Sequence, residues 1–302
     1  MIIFSTDKYA DMSKSIAKGI KGSKLGDLER KTFPDGERYL RIKSTVKNKD
    51  VVIVGGTYSD AATMEIYDLS CALVKYGAKK LTLIIPYFGY STMERAIKTG
   101  EVVGAKTRAR LLSAIPQASE GNEIYLMDLH SEGIPYYFEG STKVFHLYAK
   151  EAVFSLIKKM VKGNNFVLAS TDAGRAKWVQ SLANELKVVP AFVYKKRISG
   201  DTTEVVGVNA DVKGKDVIIY DDMIRTGGSL INAAKAYKAA GAKNIYAIAT
   251  HGILPGESLK KLTDSGLFSK IGITDSYPHG QQKSSSLFIE SVVKTLIQGL
   301  RS

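Results

Sequence analysis

Residues Val217 to Ser229, VIIYDDMIRTGGS, decide the fold of this chain. Val217, Ile218, Ile219 and Tyr220 form a short apolar run bounded by polar residues, the mark of a strand buried in a parallel sheet. Thr226, Gly227, Gly228 and Ser229 then open a helix over Leu230 to Ala240. Glycines let a backbone approach an anion closely, and the exposed N–H groups at the positive end of a helix favour a phosphate there. Asp221 and Asp222 stand between strand and turn. A carboxylate does not bind phosphate, but it accepts hydrogen bonds from sugar hydroxyls or shares a divalent cation. One loop therefore handles both ends of a ribose phosphate. Its plain alternative is an ordinary strand-to-helix connection carrying a solvated acid pair.

Outward from this run, apolar stretches alternate with amphipathic ones. Strands are expected at Met1 to Phe4, Tyr39 to Ile42, Val51 to Gly55, Leu81 to Pro86, Ile124 to Leu129, Phe166 to Ser170, Ala191 to Tyr194, Val217 to Tyr220 and Ile245 to Thr250. Helical spacing marks Ala61 to Tyr76, Ala105 to Ala114, Tyr148 to Val161, Arg175 to Leu186 and Leu230 to Ala240. This alternation predicts an α/β fold with mainly parallel sheets flanked by helices. The helix from Ala61 runs into KYGAKKLTLI much as the one from Leu230 runs into KAAGAKNIYAI, so a Gly-Ala-Lys turn leads into a strand in each half. Two domains of similar design follow, residues 1–145 and 146–302, with the boundary near Lys143 to Leu147. A last helix over Leu287 to Leu300 is expected to fold back onto the first domain.

The chain has 302 residues, ample for a large core, and its 43 basic against 30 acidic residues leave a net charge of +13 that suits anionic partners. The lysines are dispersed, and no basic run with interleaved aromatics marks a nucleic-acid face. Cys71, the single cysteine, excludes an intrachain disulfide and a thiolate zinc site, and its helical setting reads as core. The N-terminus lacks a basic segment followed by a long apolar one, and no stretch approaches the roughly 18 apolar residues needed to span a bilayer. A cytoplasmic protein with neither nucleic-acid nor membrane partners is expected.

Familiar nucleotide motifs are missing: there is no Gly-x-x-x-x-Gly-Lys-Ser/Thr element and no dinucleotide Gly-x-Gly-x-x-Gly. Candidate chemistry sits instead at strand ends. YLMDLH, Tyr125 to His130, closes an apolar strand with an acid and an imidazole, where ligands collect in open α/β sheets. Phe166 to Ser170 leads into Thr171, Asp172, Ala173 and Gly174. His130 and Asp172 read either as local hydrogen-bonding and capping groups or together as holders of a magnesium–phosphate complex, since magnesium takes only one or two protein ligands. Phe33 to Arg38, FPDGER, reads as a surface turn that also offers an aromatic face and three charges. Lys195, Lys196 and Arg197 precede a polar Ser-Gly-Asp stretch. They read as a solvated charge run or as a cationic lid able to close over a polyphosphate.

VIIYDDMIRTGGS resembles the fingerprint of proteins that bind phosphoribosyl diphosphate. With FPDGER, IIPYFGY, YLMDLH, STDAG, YKKR and ATHG, the whole chain resembles the ribose-phosphate pyrophosphokinases. That resemblance implies two phosphoribosyltransferase-like domains, the first on the ATP side with subunit contacts and the second carrying the sugar-phosphate loop. It implies transfer of the diphosphoryl group of ATP to the C1 hydroxyl of ribose 5-phosphate with magnesium, giving phosphoribosyl diphosphate and AMP. Asp221, Asp222, Arg225, Thr226, Gly227, Gly228 and Ser229 would bind ribose 5-phosphate. Phe33, Asp35, Glu37, Arg95, Lys106 and His130 would bind ATP, His130 and Asp172 would serve the metal, and Lys195, Arg197 and Lys196 would be catalytic cations. A homo-oligomer, dimer or larger, is implied because the Phe33 turn matches one offered to a neighbouring subunit. Where common members continue Tyr-Phe-Gly-Tyr with Arg-Gln-Asp-Arg-Lys, this chain reads Ser91 to Ala96, with Thr92 in place of an ATP-contacting arginine. Glu94 and Arg95 resemble the plant-type branch, and Arg95, Lys106 and Arg110 are candidates to replace the missing charge. Two other readings stay open: a catalytically silent homologue that regulates active subunits, and a phosphoribosyltransferase, which would share only the Asp-Asp loop.

Overall fold

Each half of the chain builds a six-stranded sheet in which neighbouring strands are all parallel. The computed structural model describes residues 1–199, 202–278 and 284–301, with the backbone alone at 173, 195–199 and 202–206. Two compact units result, Met1–Tyr148 with Val293–Ser302, and Ala149–Val292. The first contains strands β1 (Ile2–Ser5), β2 (Lys24–Leu25), β3 (Leu28–Thr32), β4 (Arg38–Ile42), β5 (Asp50–Val54), β6 (Lys80–Ile85), β7 (Asn122–Met127) and β8 (Lys143–Leu147). Its helices are α1 (Ala10–Gly19), α2 (Asp60–Lys75) and α3 (Gly104–Ser113). The second unit contains α4 (Lys150–Met160), β9 (Phe166–Ser170), α5 (Ala176–Leu186), β10 (Val189–Ala191), β11 (Val193–Ser199), β12 (Thr202–Val208) and β13 (Asp216–Ile224). It continues through α6 (Gly228–Ala239), β14 (Ile245–Gly252), α7 (Ser258–Asp264), β15 (Lys270–Thr274) and β16 (Leu287–Glu290), after which α8 (Val293–Gly299) rejoins the first unit.

The sheets run in the orders β2-β1-β5-β6-β7-β8 and β10-β9-β13-β14-β15-β16, so each strand of the second answers one of the first. In both, an antiparallel hairpin, β3–β4 or β11–β12, is inserted between the second and third sheet strands of the chain. The Gly-Ala-Lys turns repeat almost bond for bond. Ala78 N–H donates to Leu73 O and Ala242 N–H to Tyr237 O, both at 3.0 Å, while Lys79 N–H reaches Lys49 O and Lys243 N–H reaches Lys215 O, both at 2.8 Å. Gly77 and Gly241 hold φ of 84° and 92°, a left-handed conformation that glycine adopts without steric cost.

Apolar alternation explains the layers. Val51, Ile53, Leu81, Leu83, Ile124 and Leu126 pack with Ile66, Leu69, Leu73 and Leu112 of α2 and α3 into the core of the first unit. In the second, Val217 and Ile219 face Ala233, Ala234 and Tyr237 of α6, whereas Ile218 and Tyr220 face the α4 and α5 side with Leu156 and Leu182. A strand buried on both faces carries the continuous apolar run seen in VIIY.

Several boundaries differ from expectation for physical reasons. The strand expected over Val217 to Tyr220 continues to Ile224, because β14 goes on pairing with it through Asp221↔Ala249, Met223↔His251 and Ile224↔Gly252. The segment Leu287 to Leu300 is no single helix: Leu287 to Glu290 pair with β15 as an edge strand, and the helix starts at Val293. Residues 145 and 146 lie inside β8, which pairs with β7, so the division falls after Tyr148. Ala191 to Tyr194 splits between β10 and β11. Cys71 is half-buried on α2. Among the described residues no helix is long and apolar enough to cross a membrane.

Candidate active site

Strands β9 and β13 are adjacent and parallel, and the chain leaves them toward opposite sides of the sheet, β9 toward β10 and β13 toward β14. Such a switch point opens a crevice at the carboxyl ends of the strands, where open α/β sheets bind ligands. Pairing of β9 with β13 ends at Ser170↔Tyr220, so Thr171, Asp172, Asp221 and Asp222 come next to the crevice. The Thr171 hydroxyl donates to Asp221 Oδ2 at 3.1 Å, and the Asp222 N–H donates to Asp221 Oδ1 at 2.9 Å. Asp222 is buried, and its Oδ2 lies 2.8 Å from Arg175 Nη2 at the start of α5. Burial, and next the Asp222 charge, hold the Asp221 carboxyl well above the usual carboxylate range, while Arg175 and the Thr171 hydroxyl pull the other way. Asp172 is half-buried, with Oδ1 accepting the Gly174 N–H at 2.9 Å.

From Ile224 the chain turns through Arg225 and Thr226, both exposed, to Gly227 at φ 77°. Gly227 is the N-cap of α6 and offers no side chain, so the first turn keeps N–H groups without a side-chain cap. A Cβ at Gly227 would lie 2.7 Å from Leu262 Cδ2, so the close approach to α7, as well as the positive φ, requires glycine. Gly228 and Ser229 begin the helix beside the acid pair. The carboxylates and the phosphate-type cradle are thus brought together within one unit, joined by a few residues. His251, from the ATHG stretch, is buried in β14, its Nδ1 2.8 Å from Ser276 Oγ, and belongs to a polar network with Thr250 and Thr274 in the sheet.

Lys195, Lys196 and Arg197 lie in β11 rather than in a loop, opposite Val205, Glu204 and Thr203 of β12. Their side chains lie outside the described residues, as do residues 200–201.

The other candidates belong to the first unit. Phe33 to Glu37 form the tip of the β3–β4 hairpin: Phe33 N–H donates to Glu37 O at 2.8 Å, Glu37 N–H to Asp35 Oδ1 at 3.0 Å, and Gly36 holds φ 93°. Phe33 is 47% exposed and meets Tyr39 edge-on at 6.1 Å, so an aromatic face stands in solvent. Beneath the hairpin a cavity of about 410 Å³ is lined by Asp7, Arg30, Arg38, Tyr39 and Glu65. Arg30 and Arg38 each approach Glu65 to 3.3 Å, and burial pushes that carboxyl up. Arg95 is exposed beside Glu94 at 3.3 Å, Arg110 pairs with Glu139 at 2.7 Å, and Lys106 Nζ stands 5.8 Å from the Tyr137 ring centre. Thr92 is exposed.

Sequence reasoning missed the residue that orders this segment. Arg108 stacks on Tyr90 at 4.1 Å and pairs with Asp60 at 2.6 Å, and the Tyr90 hydroxyl donates to the same carboxylate at 2.7 Å. It also missed Arg175, the first cation after Asp172, whose partner lies across the sheet.

His130 is exposed at the exit of β7, and among the described residues no group of three or more His, Cys, Asp or Glu could enclose a metal. His130 closes a strand of the first unit and Asp172 follows one of the second; of the two, the half-buried Asp172 carboxylate has the oxygen donors that suit a hard cation keeping most of its shell for water and phosphate oxygens.

Comparison with known proteins agrees with this geometry. Residues 1–115 match the N-terminal domain of ribose phosphate pyrophosphokinase, and residues 169–298 match the phosphoribosyl synthetase-associated domain. The ribose-phosphate pyrophosphokinase of Chlorobaculum tepidum is 35% identical over 267 residues, 88% of this chain and 80% of its own. That of Clostridium perfringens is 32% identical over 302 residues, 98% and 92% of the two chains. The crystal structure of phosphoribosylpyrophosphate synthetase from Mycobacterium smegmatis superposes with a TM-score of 0.87 at 26% identity, covering 99% of this chain and 97% of that one. Likeness along both units places the chain in the ribose-phosphate pyrophosphokinase family.

Proposed function

We propose that the chain transfers the diphosphoryl group of ATP to the C1 hydroxyl of ribose 5-phosphate, releasing AMP and phosphoribosyl diphosphate. The observation that carries this reading is the acid pair of half-buried Asp221 and buried Asp222, a few residues before the glycine N-cap of α6. Asp221 and Asp222 would accept hydrogen bonds from ribose hydroxyls, and Arg225, Thr226, Gly227, Gly228 and Ser229 would receive the 5-phosphate. Held by its hydroxyls at one end and its phosphate at the other, the sugar would be fixed for reaction at C1.

Displacement at the β-phosphorus needs alignment and charge neutralisation more than it needs a covalent nucleophile. The C1 oxygen–phosphorus bond forms as the bridge to the α-phosphate breaks; AMP leaves with that electron pair, and the hydroxyl proton is released to water. Lys195, Lys196 and Arg197 lie in the β11–β12 hairpin, inserted in the chain between the two sheet strands β10 and β13, and their cations would balance charge as it shifts toward the bridging oxygen. Phe33, Asp35 and Glu37 would contact adenine, with the exposed Phe33 ring offered to a neighbouring subunit, so the working unit would be a dimer or larger assembly. Arg95, Lys106 and His130 would contact the remainder of ATP. Magnesium, held by His130 and Asp172, would supply neutralisation of the triphosphate.

Purified protein incubated with ATP, magnesium and ribose 5-phosphate tests the assignment. AMP formed only with the sugar present supports it, and no AMP across a range of phosphate concentrations overturns it.

A further inference from the structure

The two units match in strand register at their switch points, which lets one serve as the control for the other. Strand β1 registers on β5 through Ser5↔Val54, and β9 on β13 through Ser170↔Tyr220. Thr6 therefore answers Thr171, Gly55 answers Asp221 and Gly56 answers Asp222. Ser-Thr-Asp follows both first strands, and each time a short 3-10 turn leads into a helix. Tyr9 and Arg175 are the N-caps of those helices, with φ and ψ of −110° and 13° for Tyr9 and −99° and 0° for Arg175.

Three differences occur together. Where the second unit has the Asp222 carboxylate 2.8 Å from Arg175, a Cβ at Gly56 would lie only 2.3 Å from Tyr9 Oη, so that no acid fits. Where Thr171 donates to Asp221, Thr6 Oγ1 faces Gly55 and is a buried polar atom with no partner. Where Gly227 leaves α6 without a side-chain cap, Ser59 Oγ caps α2 by accepting the Ala62 N–H at 3.2 Å. The guanidinium is present where the acids and the uncapped helix are present, and absent where they are absent.

We propose that Arg175 is a positioning residue of the sugar-phosphate site, acting through the Asp222 carboxylate to hold the acid pair in the orientation that ribose hydroxyls meet. This rests on the assignment of that pair to ribose 5-phosphate. Asp222 is 2% exposed, and a buried carboxylate keeps its charge and its rotamer only with a matched, hydrogen-bonded cation. Without the guanidinium the two acids repel each other, and the pair would turn or take up a proton. A guanidinium differs from an ammonium here because its planar fork fixes the direction of the bond as well as its charge.

Steady-state kinetics of Arg175→Met, Arg175→Lys, Asp222→Asn and the Arg175→Met/Asp222→Asn double variant test it. Arg175→Met should raise the KM for ribose 5-phosphate by about tenfold or more while the KM for ATP stays within about twofold, and Arg175→Lys should recover part of the loss. The double variant should be no worse than Asp222→Asn alone, since Arg175 acts only through that carboxylate. An unchanged KM for the sugar in Arg175→Met, equal losses for both substrates, or single-variant losses that multiply would each overturn the proposal. If Arg175→Met does not fold, the Arg175→Lys kinetics decide it: a selective rise in the sugar KM supports the role, and wild-type behaviour overturns it. A wild-type protein that forms no sugar-dependent AMP overturns the parent assignment as well, so the two failures are distinguishable.

Discussion

Thr6→Val should stabilise this protein, although it removes a hydroxyl from a buried site. Thr6 is 1% exposed, and among the described residues its Oγ1 is the buried side-chain polar atom without a partner. An unsatisfied buried hydroxyl costs its desolvation, and valine fills the same volume, so the expected gain is about 1–2 kcal/mol with no cavity left behind. The backbone at Thr6 is extended, φ −71° and ψ 161°, which a β-branched residue adopts readily. For a unit of this size, each kcal/mol raises the melting temperature by about 2–4 °C. The paired control is Thr171→Val, which severs the 3.1 Å bond to Asp221 and should cost about 1–2 kcal/mol. Urea unfolding distinguishes the two, because Trp178, the single tryptophan, reports the second unit by fluorescence while circular dichroism reports both. Should both units unfold together, the midpoint of the common curve carries the same comparison. A Thr6→Val protein less stable than wild type, or two valine variants that move in the same direction, would refute the reasoning.

The remaining expectations concern the site. Lys195→Ala and Arg197→Ala should lower turnover far more than they weaken ribose 5-phosphate binding; equal losses in kcat and sugar affinity would mark the run as a substrate anchor instead. Asp222→Asn should raise the Michaelis constant for the sugar phosphate more than that for ATP, and the opposite order in initial-rate data counts against the pocket. Asp221→Asn should raise stability at neutral pH while damaging activity. The sign follows from a carboxyl held above its ordinary range: the contribution of Asp221 to folding is present below the unfolded value of about 3.9 and lost as pH rises through the folded one. Denaturation midpoints of variant and wild type should therefore converge toward acid and separate toward neutrality, and a constant difference across that window would contradict the assignment.

Much of the architecture was legible because parallel strands buried on both faces leave continuous apolar runs, as in VIIY and LTLII. Strand β3 was not, although its hairpin partner β4 was expected at Tyr39 to Ile42, since LERKT is mostly exposed and carries no apolar period. Strand β16 was taken into a helix because the spacing of apolar residues from Leu287 onward fits both forms; what decides is the open edge of β15, a tertiary fact. The acids and glycine turn could be read directly, since all lie within one stretch. Arg175 could not be linked to Asp222, because their contact depends on the alignment of β9 against β13, and register between distant strands has no local signature. Duplication was visible in the Gly-Ala-Lys turns, whereas Ser-Thr-Asp at residues 5–7 and 170–172 gained meaning only once both stretches were seen to leave matching strands.

One fold built twice in one chain separates what the architecture requires from what the chemistry requires. Strand order, the inserted hairpin and the turn bonds are common to both units, so none of them can by itself create a sugar-phosphate site. The differences gather at one crevice, and in the first unit two of the three relieve a cost. Glycines stand where the second unit has Asp221 and Asp222, and Ser59 caps α2, the counterpart of the α6 helix that Gly227 leaves without a side-chain cap. The third, the orphaned Thr6 hydroxyl, is a cost that remains after its carboxylate partner has gone. The second unit keeps an acid held above its ordinary range and a helix start with no side-chain cap, both of which disfavour the resting fold and which a bound sugar phosphate would relieve, with the Arg175–Asp222 ion pair holding the acids in place. If that is the origin of the difference, ribose 5-phosphate should protect the second unit against urea more than the first. Trp178 fluorescence would then shift to higher urea with added sugar phosphate in wild type and much less in Arg175→Met, while equal protection in both proteins would detach the cation from the site.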